Sequence, residues 1–311
     1  MPFKVTKQKF SGSINECVLG TGEKAITIGG EKDLMFLSDS GHAPAVGIEI
    51  TDTYPEDWAQ CIKDFYGDVM KDPVEWAKFV EANTDAQFIE LKFDSADPNG
   101  KDRPVDECVE VAVAVEAATD LPLVIGGCKN AEKDSELLSK ISQALMNKNV
   151  LMFSAVEDNY KGIGIEANAD GNKVSGESAV DINLAKQLNI LMDQLGVDKA
   201  NMVMDIGSAA VGYGYEYVAS TMDRIRLAAL GQNDDTLQIP IVTNVGDDAW
   251  GVKEAVFTEE EAPEWGNQEQ RGIDMEVSTV ASCLIGGSNA VVVRHPKTAE
   301  VALDFVKELV G

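Results

Sequence analysis

From Ala45 onward the chain alternates short apolar runs with longer segments of helical spacing, eight times over. The first run, AVGIEIT, closes on Asp52; others follow at residues 87–93, 121–126, 150–154, 173–177, 202–204, 239–244 and 290–294. Between and after them come stretches with apolar residues at three- and four-residue intervals: 73–83, 105–118, 132–147, 160–169, 180–195, a tyrosine-rich segment running to about Leu230, 268–285 and 298–310. Pro73 suits a first helical position, Pro104 opens the second helix and Gly196 ends the fifth. Eight strand–helix units predict a (β/α)8 TIM barrel, with a doubly wound sheet as the structural runner-up.

A chain of 311 residues is long enough for two small domains or one large α/β barrel, so the repeat decides, not the length. Residues 1–44 lie outside the repeat. Their short runs at 3–9, 13–19 and 25–28, joined at Ser11-Gly12 and across 20–24, predict a small antiparallel β extension that closes the barrel, leaving 45–311 as the barrel itself.

The formal charge of −27 repels polyanions, which argues against nucleic acid or an anionic membrane as partner. No apolar run is long enough to span a bilayer and MPFKVTKQKF does not read as a cleavable signal, so a cytoplasmic protein is expected. Five scattered cysteines (Cys17, Cys61, Cys108, Cys128, Cys283) form neither a disulfide framework nor a CxxC knuckle. With His42 and His295 as the two imidazoles, no metal-ligating set emerges, and any metal is expected on a partner.

Strand ends of such a barrel converge on one mouth, which places chemistry there. The stretch NMVMDIGSAAVGYGYEY runs from a buried strand through Asp205 into a glycine-rich loop and a helix start. Its glycines fall as GxxxxGxG with Tyr213 where a Walker loop needs lysine, and GxGxxG is absent, so a tight strand–helix connection outweighs a phosphate cradle. Asp205 and Asn244 follow adjacent strands and could together grip a cyclic amide, although each could equally cap its own loop. Lys92 could form a Schiff base if desolvated, but an ion pair with a mouth carboxylate is the simpler expectation. For His295 one loop hydrogen bond outweighs a cobalt or zinc bond. Residues 245–266, with Trp250, Phe257, Trp265 and an acidic run, read as a long loop without an evident helix, suited to contacting a planar ligand or a protein. From strand-end geometry the cofactor-binding set is Asp205, Gly207, Ser208, Gly212, Tyr213, Asn244 and Arg294; no residue is assigned as catalytic.

Over nearly its whole length the chain resembles the small subunit of the corrinoid iron–sulfur protein, the delta subunit of the acetyl-CoA decarbonylase/synthase complex. The likeness is most specific in AVDINLAKQLNILMDQLGVDKANMVMDIGSAAVGYGYEYVASTMDRIRLAAL and in IPIVTNVGDDAW with the loop and helix after it. The resemblance implies a barrel without its own cluster, paired with a large subunit that carries a [4Fe–4S] cluster and a corrinoid-binding domain. It implies a methyl group received through a methyltetrahydrofolate methyltransferase and passed to acetyl-CoA synthase/CO dehydrogenase, with the barrel mouth over the corrinoid. More weakly, the chain is similar to pterin-binding methyltransferase barrels, in which polar residues at the places of Asp205 and Asn244 bind folate; a self-sufficient pterin-binding methyltransferase is the alternative that this implies.

Overall fold

A computed structural model describes residues 9–37 and 39–310; the strand expected over 3–9 falls almost wholly outside them. The chain opens with a hairpin, β1 (Glu16–Leu19) and β2 (Ile26–Gly29). The repeat follows as β3 (Ala45–Thr51), α1 (Gln60–Tyr66), α2 (Pro73–Asn83), β4 (Phe88–Lys92), α3 (Val105–Glu116), β5 (Leu123–Gly126), α4 (Ala131–Ala144), β6 (Leu151–Ala155) and α5 (Tyr160–Ala169). It continues through β7 (Lys173–Glu177), α6 (Ile182–Gln194), β8 (Met202–Asp205), α7 (Tyr215–Arg226), β9 (Val242–Asn244), α8 (Gly246–Ala249), α9 (Lys253–Val256), α10 (Gln268–Gly286), β10 (Ala290–Val293) and α11 (Pro296–Val310).

The eight strands β3 to β10 are parallel in the order β8-β7-β6-β5-β4-β3-β10-β9, and a bridge from Met204 to Ile241 brings the last beside the first. The result is a (β/α)8 barrel. Because side chains alternate along a strand, each strand sends one set inward and the other toward the helices. Outward residues such as Val46, Ile48, Ile50, Ile89 and Leu91 join the large core under the helices. Inward residues at the strand starts, among them Phe88, Val124, Leu151, Val203, Val242 and Val292, form a second apolar cluster, and Cys17, Leu19 and Ile28 of the hairpin plug it from below. Gly47 makes this layer possible: a Cβ there would stand 2.3 Å from the Phe88 ring.

Further along each strand the inward set turns polar, which is where the mouth begins. The strand sequences carry this switch: FIELK runs inward from Phe88 through Glu90 to Lys92, and MVMD from Val203 to Asp205.

Two differences from the sequence expectation stand out. Helix α1 lies in a segment with no helix assigned, and it buries Ile62 and Tyr66 with Trp58 before and Met70 after them. Residues 245–266 are not helix-free either; they hold α8, α9 and a 3-10 turn at Pro263–Trp265. Helix α2 begins as expected: Asp72 accepts the Val74 amide at 2.9 Å, with Pro73 at the first position. Asp72→Ala should therefore cost about 1 kcal/mol in a urea titration, and an unchanged midpoint would show that Pro73 alone sets the helix start.

Candidate functional site

The mouth divides into two halves. One half, over β3, β4, β9 and β10, is filled by an ion-pair network centred on Asp247 at the start of α8. Arg294 donates to Glu49 at 3.0 and 3.2 Å and also pairs with Asp247. Lys92 reaches both Asp247 oxygens at 3.0 Å, and Lys129 reaches one at 3.1 Å. Lys129 follows β5 and Asp247 follows β9, strands on opposite sides of the barrel, so this pair spans the mouth. Burial works against the Asp247 charge, yet Arg294, Lys92 and Lys129 hold its carboxyl well below the usual range. Burial also opposes the Lys92 charge, but Glu49, Asp247 and Asp94 outweigh it and keep the ammonium protonated. A protonated, paired lysine is a poor Schiff-base nucleophile.

The other half, over β5 to β8, is a cavity of about 690 Å³. Asp205 and Glu177 face it from adjacent strands that pair residue against residue. Gly207 donates its amide to Asp205 at 2.9 Å from a φ of 78°, a conformation that suits glycine. Ser154 donates to Glu177 at 2.8 Å. Burial, and next the charge of Glu177, push the Asp205 carboxyl up to about 7. Glu90 is 2% exposed and lines the cavity floor, where burial and then Glu49 push its carboxyl well above the usual range. Gly126 leaves it room, since a Cβ there would meet Glu90 Oε1 at 2.8 Å.

Loops complete the cavity. Asn159 accepts the Val156 amide at 2.8 Å and donates to the Ala131 carbonyl at 3.1 Å, tying the β6 loop to α4. Ala179 and Val180, which line the wall after β7, hold φ values of 44° and 64°. A β-branched residue in that region is strained, and it is pinned by Val180 N–H to Ile206 O at 2.8 Å and by the Thr221 hydroxyl to Val180 O at 2.9 Å.

Of the residues expected at the site, Asp205, Gly207, Ser208 and Asn244 line this cavity. Asn244 is spent on the floor: its Nδ2 donates to Glu49 at 3.1 Å and Glu90 at 2.7 Å, and its Oδ1 accepts the Asp247 amide at 3.3 Å. Arg294 lies within the filled half, stacked 4.4 Å from the Trp58 ring. Gly212 and Tyr213 stand farther along the β8–α7 loop, outside the cavity lining; Tyr213 is exposed and its hydroxyl donates to Glu254 on α9. Lys129, Asp134, Asn159, Asp247 and Asp248 were not singled out from sequence, and all line the cavity. For Lys129, Asn159, Asp247 and Asp248 the one signal was a place within a few residues of a strand end; Asp134, inside α4, carried none.

His295 is buried, stacked against Trp250, and accepts the Lys297 amide on Nδ1 at 3.1 Å. Burial lowers its pKa, so it stays neutral. Trp250, in the loop expected to contact a planar ligand or a protein, is instead 3% exposed. Phe257 stacks on Trp265 at the rim and is part exposed, as is Tyr217 at the start of α7. Burial pushes the Cys128 thiol up to about 12, which removes it as a nucleophile. Among the described residues no group of three or more His, Cys, Asp or Glu side chains is arranged to hold a metal, and no helix is long and apolar enough to cross a membrane.

Residues 16–285 match the family of the CO dehydrogenase/acetyl-CoA synthase delta subunit. The chain is 32% identical to the acetyl-CoA decarbonylase/synthase complex subunit delta of Archaeoglobus fulgidus, over 99% of this chain and 71% of that one. It is 33% identical to the same subunit of Methanosarcina mazei, over 94% and 68%. Among solved structures it is similar to Xanthomonas albilineans dihydropteroate synthase with 4-aminobenzoic acid (TM-score 0.56, 15% identity, 95% and 98% of the two chains). It is also similar to a Coxiella burnetii dihydropteroate synthase in complex with pteroic acid (TM-score 0.56, 10% identity, 86% and 94%). At such identities these two likenesses speak for the barrel fold alone.

Proposed function

Because the chain belongs to the CO dehydrogenase/acetyl-CoA synthase delta subunit family, we propose that it is the small subunit of a heterodimeric corrinoid iron–sulfur protein. In this reading its barrel mouth caps a corrinoid held by the large subunit, which also carries the [4Fe–4S] cluster. The heterodimer takes a methyl group from a methyltetrahydrofolate:corrinoid methyltransferase and delivers it to acetyl-CoA synthase. The observation that carries the reading is the family match across nearly the whole barrel.

The donor set of the mouth fits a capping role. A corrin edge bears carboxamides, and Asp205, Glu177 and Lys129 offer acceptors and a donor around an open cavity. Tyr213, Tyr217 and Phe257 offer exposed apolar faces at the same end. His295 is enclosed by Trp250 and Phe65, so this chain brings no imidazole to a metal above the mouth. When bound, the corrinoid supplies the cobalt that accepts and releases the methyl group. What the chain itself contributes is exclusion of water from that face and a fixed orientation, held by the filled half of the mouth, whose charges are already paired.

The second reading, a self-sufficient pterin-binding methyltransferase, draws on the barrel likeness and on Asp205 in the cavity. Against it, every polar atom of the Asn244 amide is already hydrogen-bonded within the protein. The two separate in one experiment: the visible spectrum of the chain purified anaerobically, alone and co-expressed with a large subunit in a corrinoid-supplied host. The capping reading expects a colourless lone chain and corrinoid absorbance in a one-to-one complex. A chain that ignores the large subunit and binds methyltetrahydrofolate, with binding lost in Asn244→Ala, overturns it.

A further inference from the structure

Among the described residues, the aromatic side chains that stand exposed are Phe65, Tyr213, Tyr217 and Phe257, and all four lie at the mouth end of the barrel. Three of them, with the half-buried Trp265, belong to the rim made by the β8–α7 loop, the start of α7 and residues 253–267. None of these side chains lines the cavity. A lone chain gains nothing by leaving large aromatic faces in water, whereas protein interfaces are enriched in Tyr, Trp and Phe at their centres.

The rim is ordered before anything docks on it. The Tyr213 hydroxyl donates to Glu254, which joins the β8–α7 loop to α9. Phe257 stacks on Trp265 with ring centres 6.0 Å apart and planes at 15°, and the Arg271 guanidinium lies 5.7 Å from the Trp265 ring. Arg271 also donates to the carbonyls of Glu254 and Phe257, tying α9 to α10. Asn267 accepts the Gln270 amide at 2.9 Å and donates to Glu259 at 2.7 Å. A surface already held in this way loses little conformational freedom on association.

The same segment carries Glu254, Glu259, Glu260, Glu261, Glu264 and Glu269. Among the described residues no lysine or arginine forms an ion pair with any of them; Glu269 reaches the neutral His295 ring at 3.4 Å. Exposed acids elsewhere do find a lysine, as Asp68, Glu75, Glu136 and Glu300 show. Unpaired carboxylates beside aromatic faces repel nucleic acid and anionic lipid. They attract lysine and arginine, whose charged heads suit both groups and whose stems pack on rings.

We propose that this rim is a docking surface for a protein partner with a basic face, whose lysine and arginine side chains meet the glutamates around an apolar centre seated on Tyr217 and Phe257. The occupant is the large subunit of the capping reading, on which the assignment rests. Because the rim stands outside the cavity lining, it grips protein beside the capped group and not the group itself. A chain with a formal charge of −27 repels acidic surfaces, so a basic face aimed at the rim also selects the orientation of approach.

The test is the affinity of the full chain for the purified, corrinoid-loaded large subunit under anaerobic conditions, at about 50 and about 300 mM salt. Wild-type affinity is expected to fall about tenfold across that range. A triple variant, Glu259→Gln with Glu260→Gln and Glu264→Gln, should bind about tenfold more weakly at low salt and lose most of the salt dependence. Phe257→Ala should weaken binding about tenfold at both salt concentrations. A control triple, Glu110→Gln with Asp193→Asn and Glu308→Gln, removes as much charge from exposed positions on α3, α6 and α11 and should stay within about twofold of wild type. All these positions are exposed, and unchanged urea midpoints would show that each variant folds. Rim variants that bind as wild type does, or a control triple that weakens binding as much as the rim triple, overturn the proposal and leave the capping reading standing. A wild-type chain that binds no large subunit at either salt concentration overturns both.

Discussion

Replacing Asp247 by alanine should lower the free energy of unfolding by about 3–5 kcal/mol, the range seen when one partner of a buried charge pair is removed. Arg294 and Lys92 are both buried and both lean on this one carboxylate. Without it, Arg294 keeps Glu49, but Lys92 is left with an ion pair to Asp94 at 3.6 Å and the longer-range field of Glu49, which Arg294 already engages. Lys129 should matter little, because three quarters of its side chain is exposed and its pair is screened; Lys129→Ala is expected to cost less than about 1 kcal/mol. The contrast between the two variants in urea titrations is the informative quantity. A loss under about 1 kcal/mol in Asp247→Ala would mean that Glu49 alone neutralises the filled half of the mouth. The pH dependence has a sign as well. Asp247 has a depressed pKa in the folded state, so its contribution is complete above the unfolded carboxylate value near 4 and is lost only as pH falls through the lower folded value. Wild type and variant should therefore converge only in strong acid.

The barrel could be seen in the sequence because strand and helix periods differ and the repeat is long. The strand at Ala45–Thr51, that at Lys173–Glu177 and the helices at Pro73–Asn83 and Tyr160–Ala169 stand where the pattern placed them. Helix α1 escaped although Trp58, Ile62, Tyr66 and Met70 recur at four-residue spacing. It lasts seven residues, stops at Gly67 with φ of 61°, and passes into a 3-10 turn, so the period has too little length to register. Helices α8 and α9 are four residues each and leave no period at all. Strand β9 starts later than expected because Pro240 has no amide to donate and Ile241 gives its own to the Asn289 side chain.

The site was legible to the extent that it depends on strand ends. Asp205 and Asn244 follow apolar runs and point to the mouth as such residues must. Arg294 follows one too, yet its fate depends on which strand lies beside it. Strand β10 pairs with β3 so that Val293 stands against Ile48, which sets Arg294 next to Glu49, and this adjacency joins residues 245 positions apart. Lys129 and Asp247 meet across the barrel through two loops, and Asp134 enters the cavity from a helix. Loop paths of this kind are set by packing, and a local pattern of residues carries no trace of them.

Asp205→Asn should have the opposite effect to Asp247→Ala: it should stabilise the protein, and more so as pH rises. In the folded chain the Asp205 carboxyl sits at about 7, while an unfolded aspartate titrates near 4. A group raised in this way favours the folded state fully below the unfolded value and loses that contribution as pH climbs through the window to the folded value. Each pH unit inside the window is worth up to about 1.4 kcal/mol per proton, so the gap between Asp205→Asn and wild type should widen by about 2 kcal/mol from pH 5 to pH 7, then level off. Asparagine keeps an oxygen for the Gly207 amide and carries no charge to desolvate. Glu177→Gln should produce part of the same gain, because it removes the charge that opposes ionisation of Asp205. Urea midpoints at pH 5 and pH 7 decide the matter: parallel shifts at both would place the Asp205 carboxyl near its ordinary value. A gain that grows with pH would show a cavity wall that gives up stability to keep the Asp205 carboxyl buried beside Glu177, the trade expected of a functional site and not of a barrel lining.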